Sequence, residues 1–551
     1  MSKAILLGID GASLDLLLPW VEQGKLPYLG CLLRQGVHGP LRSTIPPYSA
    51  QAWVSMMTGR SPAKHGVLDF FEPGSGPARH AFISSGLIEG EALWDTVSRH
   101  GQTVGIVNVP LTYPPVAVNG YMVSGFMTPK GREDYTYPAD LRQEILAVTG
   151  QYDPDPWDLL EPAQDLEQFK RWMDIAEQAA EHLYLQHAVD FYVSVIQGID
   201  QLQHIFWDML MDSVRGQRAV EDGVWRSVEA CYARMDQAIG RRMQWLAEDS
   251  FLFITSDHGF QSVNTWLHLN HWLAEHGYLT FAKAQASLGQ SLMASRGWTR
   301  EDMKRLVRSF DRLGLRRLLG RFARASIADR IDDLLSVPID WSHTVAYSGS
   351  RTSEGIYINL KGREPQGIVE PGAEYESIRE RIIAELSSLG DPATGRSALS
   401  AVYRREDLYS GKHLARMPDI LLGLDDRPYL ISESTAAKHT FEPISARDIK
   451  GRHHSRGTFA AVGRHVVRGL ELEAEIVDVA PTILYAMGLP IPADTDGRVL
   501  EEIFTPEFRR SHPVQHEAPT DLYARQAESP TYTAEEEEAM LRRLQDLGYL
   551  S

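Results

Sequence analysis

Four short apolar runs, KAILLGID at 3–10, VGIVNV at 104–109, FYVSVIQGID at 191–200 and FLFITSD at 251–257, are separated by stretches long enough to hold crossover helices. That alternation constrains the fold more than any other feature. Strands that are apolar on both faces and joined by helices form a mostly parallel sheet covered on both sides. Ligands of such sheets sit beyond the carboxyl ends of the strands. Three of the runs lead into acidic groups at that rim: Asp10, Asp200 and Asp257, the last followed by His258. Carboxylates gathered at one rim are costly unless a cation neutralises them.

At 551 residues the chain exceeds one ordinary core. The expected organisation is a catalytic core in two parts, 1–280 and 431–505, an insertion or cap over 281–430, and a polar extension over 506–551 that carries a short helix. Within the insertion, 281–340 reads as helical and arginine-rich, 347–369 as strands and turns, 374–389 as a helix and 416–424 as a returning strand. A net charge of −18 argues against nonspecific binding to nucleic acid. The stretch from Arg300 to Arg330 runs against that balance, either as the solvated face of an amphipathic helix or as a surface that attracts an anionic substrate or lipid. No apolar run reaches the roughly 20 residues that span a bilayer. Two cysteines, Cys31 and Cys231, fit a reducing compartment, and with no signal-peptide pattern ahead of Asp10 the expectation is cytoplasmic. Oligomeric state leaves no trace in the sequence.

Five fragments carry candidate chemistry. GIDGAS places Asp10 before a glycine turn, which alone is also an ordinary Asp-Gly turn. IPPYSAQAWVSMMTGRSPAKHGV at 45–67 places Ser49 at the start of a helical run, where it either caps the helix or serves as an oxygen nucleophile near the helix amides. Thr44 is the second candidate hydroxyl. In QGIDQLQHIFWD, Asp200 and His204 stand four apart, so a helix there presents both on one face as a half-site for a divalent metal. SDHGF supplies Asp257 and His258, and IKGRHHSRG supplies His453 or His454. His268 and His271 have metal-like spacing but lack a companion carboxylate at a strand end.

The order of these fragments resembles the alkaline phosphatase superfamily, and within it the branch of type I phosphodiesterases and nucleotide pyrophosphatases. The phrases TGRSPAKHG, DVAPTILYAMGLPIP and DGRVL share the likeness, which covers roughly 1–280 and 430–500. It implies an alkaline-phosphatase-like α/β fold, with a mostly parallel central sheet, helices on both faces and a smaller α+β cap. It also implies two divalent ions, zinc foremost, with manganese or iron as alternatives for such donors. Carried over residue by residue, Asp200, His204 and His453 hold one ion; Asp10, Asp257 and His258 hold the other, with Ser49 bridging. His453 is preferred to His454 because the family pattern is His-x-x-x-Gly and Gly457 sets the count. Asn108, at a strand end on the same rim, is the candidate to hydrogen-bond a phosphoryl oxygen. Arg351 and Lys361 are candidates to meet an anionic substrate, and His65 reads as a loop brace.

The implied reaction is hydrolysis of a phosphodiester or pyrophosphate bond in a small phosphorylated substrate, through a covalent phosphoseryl intermediate on Ser49. One departure matters: where many relatives read Thr-x-Pro-Ala-Trp, this chain reads Ser49-Ala50-Gln51-Ala52-Trp53. Serine leaves a phosphomonoesterase, or a mutase of the cofactor-independent phosphoglycerate type, as alternatives. A non-catalytic relative that only binds metal or ligand is the alternative of another class. A sulfatase lacks support, since no Cys-x-Pro-x-Arg context surrounds Ser49.

Overall fold

A computed structural model describes residues 3–72, 82–156, 162–217, 223–282, 337–349, 354–392, 394–444, 450–520 and 532–546. The arginine-rich stretch 300–330, Arg351 and most of the loop at 72–80 lie outside the described residues.

The four apolar runs form adjacent strands of a nine-stranded sheet. Its order is Ala474–Glu475, Val37–Arg42, Arg456–Gly463, Phe251–Thr255, Ala4–Ile9, Phe191–Ile196, Val104–Val109, Gly120–Ser124 and Thr136–Tyr137. Five consecutive strands, from Phe251–Thr255 to Gly120–Ser124, are parallel. Strand Arg456–Gly463 runs antiparallel between Phe251–Thr255 and Val37–Arg42.

Side-chain alternation along the first strand shows how the sheet becomes the centre of the molecule. Ile5, Leu7 and Ile9 enter one apolar cluster with helices Leu14–Glu22, Pro27–Gln35, Pro162–Gln186, Gly198–Val214 and Gly223–Gln244. Ala4 and Leu6 enter another, on the opposite face, with helices Ser49–Thr58, Leu93–Arg99 and Val479–Ala486. A period of two on a strand delivers residues to both faces, so a strand apolar throughout requires both to be covered.

The first strand also marks a topological switch point. It pairs with Phe191–Ile196 on one side and Phe251–Thr255 on the other, with Ala4 opposite Phe191 and Phe251. The carboxyl ends are therefore level, with Ile9 opposite Ile196 and Gly8 opposite Thr255. A crevice opens beyond such ends.

Residues between Ala346 and Gly423, within the stretch expected as an insertion, build a separate four-stranded antiparallel sheet, ordered Ala346–Ser348, Gly355–Ile358, Ile420–Gly423 and Ala401–Arg404, with helix Ala373–Ser387 packed beside it. Its apolar cluster also draws in Leu267, Leu269, Leu273 and Leu279 ahead of it in the chain and Ile431 beyond it. The C-terminal helix, Ala534–Asp546, is docked rather than trailing. Met540 and Leu544 are buried in one cluster with Tyr48, Ala50, Val54 and Phe126, and Arg543 pairs with Asp155.

Candidate active site

Each of the level strand ends delivers its group to one cage. Asp10 follows the first strand directly, and the turn after it needs Gly11 at φ 72, where a Cβ would also press on Phe260 and Gln203. Asp257 and His258 follow Phe251–Thr255, and Gly11 N–H donates to Asp257 Oδ1 at 3.2 Å. Asp200 falls in the first turn of helix Gly198–Val214, and His204 one turn later lies with Nε2 3.5 Å from Asp200 Oδ1. Ser49 is the first residue of helix Ser49–Thr58, with Tyr48 at the N-cap position, and Ser49 Oγ lies 3.1 Å from His258 Nε2.

His453 arrives on a separate antiparallel pair, Gly451–His454 with Gly259–Ser262, in which His453 faces Phe260. Alternation along that strand separates the two adjacent histidines. His453 Nε2 reaches 3.2 Å from Asp200 Oδ1 and its ring stacks on His258 at 3.5 Å between centroids. His454 turns to the other side, where its Nδ1 accepts from Arg456 N–H and Asp425 and Asp426 flank it. Asp10, Asp200, Asp257, His204, His258, His453 and Ser49 thus converge, all buried.

The proton positions are set by the backbone. His204 Nδ1 lies 3.1 Å from the Gly451 carbonyl, His258 Nδ1 3.1 Å from that of Gly259, and His453 Nδ1 2.9 Å from that of Pro47. A carbonyl only accepts, so each Nδ1 carries the proton and each Nε2 turns a lone pair inward. Ser49 Oγ thus lies against His258 Nε2 and also hydrogen-bonds the Asp257 carboxylate. The Nε2 atoms of His204 and His453 lie 3.1 Å apart.

Three buried carboxylate oxygens, Asp10 Oδ1, Asp200 Oδ1 and Asp257 Oδ2, have no hydrogen-bond donor. Desolvation with the charges of Asp257 and Asp200 holds Asp10 well above the ordinary carboxylate range. Burial raises Asp200 and pushes Asp257 up to about 7, while it lowers His204 and His258 to about 4. Orphaned oxygens and inward lone pairs are the donor set a divalent cation takes. Asp200, His258 and His453 form one group whose ligand atoms lie within 4.8 Å of one another, and Asp10, Asp257 and His258 form a second. His204 joins the first group's edge through His453 and Asp200.

The other candidates fall elsewhere. Thr44 donates to the Pro46 carbonyl at 2.9 Å. His65 uses both nitrogens locally, accepting Val67 N–H at Nδ1 and meeting Ser55 at Nε2, so it braces its loop. His268 and His271 approach Glu442 and Glu275, away from the cage groups. Lys361 is exposed and paired with Glu370. Asn108 sits on the strand next to Phe191–Ile196 with φ 60, its Oδ1 accepting from Tyr152.

Sequence reasoning left out the groups that aim the cage. Trp53 Nε1–H donates to Asp10 Oδ2 at 3.1 Å, and Gln203 Nε2–H donates to the Gly11 carbonyl at 2.7 Å. Trp53 stands four residues after Ser49, hence on the same helix face, and that spacing is the signal that could have found it.

The sequence matches the profile of the type I phosphodiesterase / nucleotide pyrophosphatase family over residues 4–456. No curated protein sequence matches it significantly. Among solved structures, human ectonucleotide pyrophosphatase / phosphodiesterase 5 aligns at 12% identity and a TM-score of 0.46, covering 92% of this chain and 100% of that one. An inactive variant of the murine counterpart in complex with AMP aligns at 11% identity and 0.47, with the same coverage.

Proposed function

The chain belongs to the type I phosphodiesterase / nucleotide pyrophosphatase family, and from that premise we propose that it hydrolyses a phosphodiester or pyrophosphate bond in a small phosphorylated substrate, with Ser49 as nucleophile. The observation that carries the reading is the cage itself: three orphaned carboxylate oxygens and three inward imidazole lone pairs around one serine hydroxyl. Asp200, His204 and His453 would hold one divalent ion; Asp10, Asp257 and His258, with Ser49 Oγ, would hold the other. Zinc suits mixed imidazole and carboxylate donors best, with manganese or iron as alternatives. Bound there, such ions supply charge neutralisation for the phosphoryl group and leaving oxygen, and lower the pKa of the attacking hydroxyl.

The chain's own residues supply the rest. The amino end of helix Ser49–Thr58 sets the serine oxygen at the cage and turns the partial positive charge of the helix toward an arriving anion. Trp53, on the same helix, holds Asp10 so that nucleophile and carboxylate move as one body. The Ser49 oxygen would bond to phosphorus as the alcohol or phosphate departs opposite, and water would then cleave the phosphoseryl ester and restore the hydroxyl. Two free thiols, one buried, support a reducing compartment such as the cytoplasm.

The test is turnover of bis-p-nitrophenyl phosphate against p-nitrophenyl phosphate by the zinc-loaded protein, with bound metal counted in parallel. The diester is expected to be preferred, and Ser49→Ala to abolish turnover while metal content stays. A monoester preference would favour the phosphomonoesterase reading. Full activity in Ser49→Ala would remove the serine from the reaction.

A further inference from the structure

Tyr48 immediately precedes Ser49, and Arg452 immediately precedes His453, yet the two sit more than four hundred residues apart in the chain. Their side chains meet on a single atom. Glu354 Oε1 accepts Tyr48 Oη–H at 3.0 Å and Arg452 Nη2–H at 2.6 Å. All three residues are buried, Glu354 to 1% exposure.

Glu354 belongs to the insertion, at the start of strand Gly355–Ile358, and its carbonyl accepts Leu422 N–H from the neighbouring strand. Its backbone holds φ 38, a left-handed conformation that a residue with a side chain rarely adopts. Strained backbone of this kind persists only where the surroundings over-determine it. Arg452 is tied to the insertion a second time, through Nη1 and the Leu424 carbonyl at 3.4 Å. The nucleophile loop is tied in parallel, since Tyr409 of the insertion donates to the Ile45 carbonyl and accepts Ile45 N–H.

A buried ion pair between insertion and core could serve stability alone. Such pairs add little net stability, because desolvation offsets their attraction. What distinguishes this one is where its donors lie. Arg452 and His453 point to opposite sides of one strand, so holding the guanidinium fixes the rotation of that strand and the aim of the imidazole. Tyr48 occupies the N-cap position of the Ser49 helix, and its ring lies 5.4 Å from that of His453. One carboxylate oxygen thereby sets the relative placement of the serine oxygen and the histidine across the cage.

We propose that Glu354 is a positioning residue, through which the insertion aligns Ser49 with His453; the proposal rests on the reading of Ser49 and His453 as site groups. It touches neither the substrate nor the cage directly. Because both donors share one oxygen, glutamine, which keeps a carbonyl oxygen with two lone pairs, can replace it, whereas alanine cannot.

Three readouts test this on the full chain: kcat and KM with bis-p-nitrophenyl phosphate, zinc affinity by chelator competition, and hydrogen exchange of the segments 45–53 and 451–456. Glu354→Ala is expected to lower kcat about 10- to 100-fold with KM within about threefold, to weaken zinc binding at the group that includes His453 about tenfold, and to speed exchange in both segments. Glu354→Gln, which keeps the shared acceptor oxygen but leaves the Arg452 charge unpaired, is expected to lose clearly less than alanine in all three. If the alanine variant does not fold, Tyr48→Phe removes only one hydroxyl; it should lower kcat several-fold, leave zinc affinity unchanged and speed exchange only in 45–53. Parental values in both Glu354→Ala and Tyr48→Phe would overturn the proposal, as would equal damage from glutamine and alanine. A parent protein that does not cleave the diester would count against the proposed reaction instead, and exchange and zinc affinity would still decide the role of Glu354.

Discussion

Metal uptake by the cage should release protons from carboxylates rather than from histidines, the reverse of an exposed site. In the metal-free protein His204 and His258 lie at about 4 and are already neutral near pH 7. Asp257, raised to about 7 by burial, is instead partly protonated there, and Asp10 is held well above its ordinary range. With a pKa of about 7, Asp257 is about one-tenth ionised at pH 6 and about nine-tenths at pH 8. Since a ligand must be deprotonated to bind, affinity should rise about tenfold between those pH values from Asp257 alone. Asp10, held above its ordinary range as well, steepens the dependence in the same direction. The sign is fixed by the direction of the shifts: a raised carboxyl keeps its proton in the folded apo protein, and the cation must displace it. Zinc titration by calorimetry in two buffers of different ionisation heat counts the protons directly, and a chelator competition gives the slope. Asp257→Asn should lower that slope by about one-half, averaged over pH 6 to 8. An affinity that levels off above pH 6.5, as ordinary histidines would dictate, would refute the reasoning, and so would an unchanged slope in Asp257→Asn.

Other consequences follow from single contacts. Trp53→Phe leaves Asp10 Oδ2 without its indole donor and should destabilise the protein by about 1–3 kcal/mol, read from the denaturant midpoint, while weakening metal binding. Gly8→Ala drives a Cβ into the Trp53 ring and should cost about 1–3 kcal/mol by overpacking, visible as a lowered Tm; a neutral effect would mean that the indole can shift. His453→Ala should lose metal and turnover together, whereas His454→Ala, on the other side of the strand, should keep metal content near that of the parent.

Loss of a positioning contact and loss of a ligand are separable because the cage is assembled from rigid elements. Asp10 and Asp257 sit one residue and two residues past paired strands, and Ser49 and Trp53 share one helix. Small displacements of any one element would change the spacing of groups that meet within a few ångströms, so the aiming contacts matter as much as the donors.

The parallel sheet was legible in the sequence because strand burial on both faces leaves a direct imprint: runs apolar throughout, spaced for crossover helices, ending in acidic residues. The Asp200 and His204 pairing was legible for a similar reason, since four residues on a helix share a face whatever surrounds them. Motif order carried Ser49 and the choice of His453 over His454. The physical ground for that choice, alternation on a strand paired with Gly259–Ser262, becomes visible only with the pairing itself. The same holds for Glu354, for the backbone carbonyls that fix three imidazole tautomers, and for the docking of the polar-looking C-terminal helix through Met540 and Leu544. What sequence alone determined are the local periods and the donor inventory, which depend on neighbours along the chain. What only tertiary structure decided is which distant groups share an atom, because that depends on register and close packing between segments whose separation in sequence carries no trace of their separation in space.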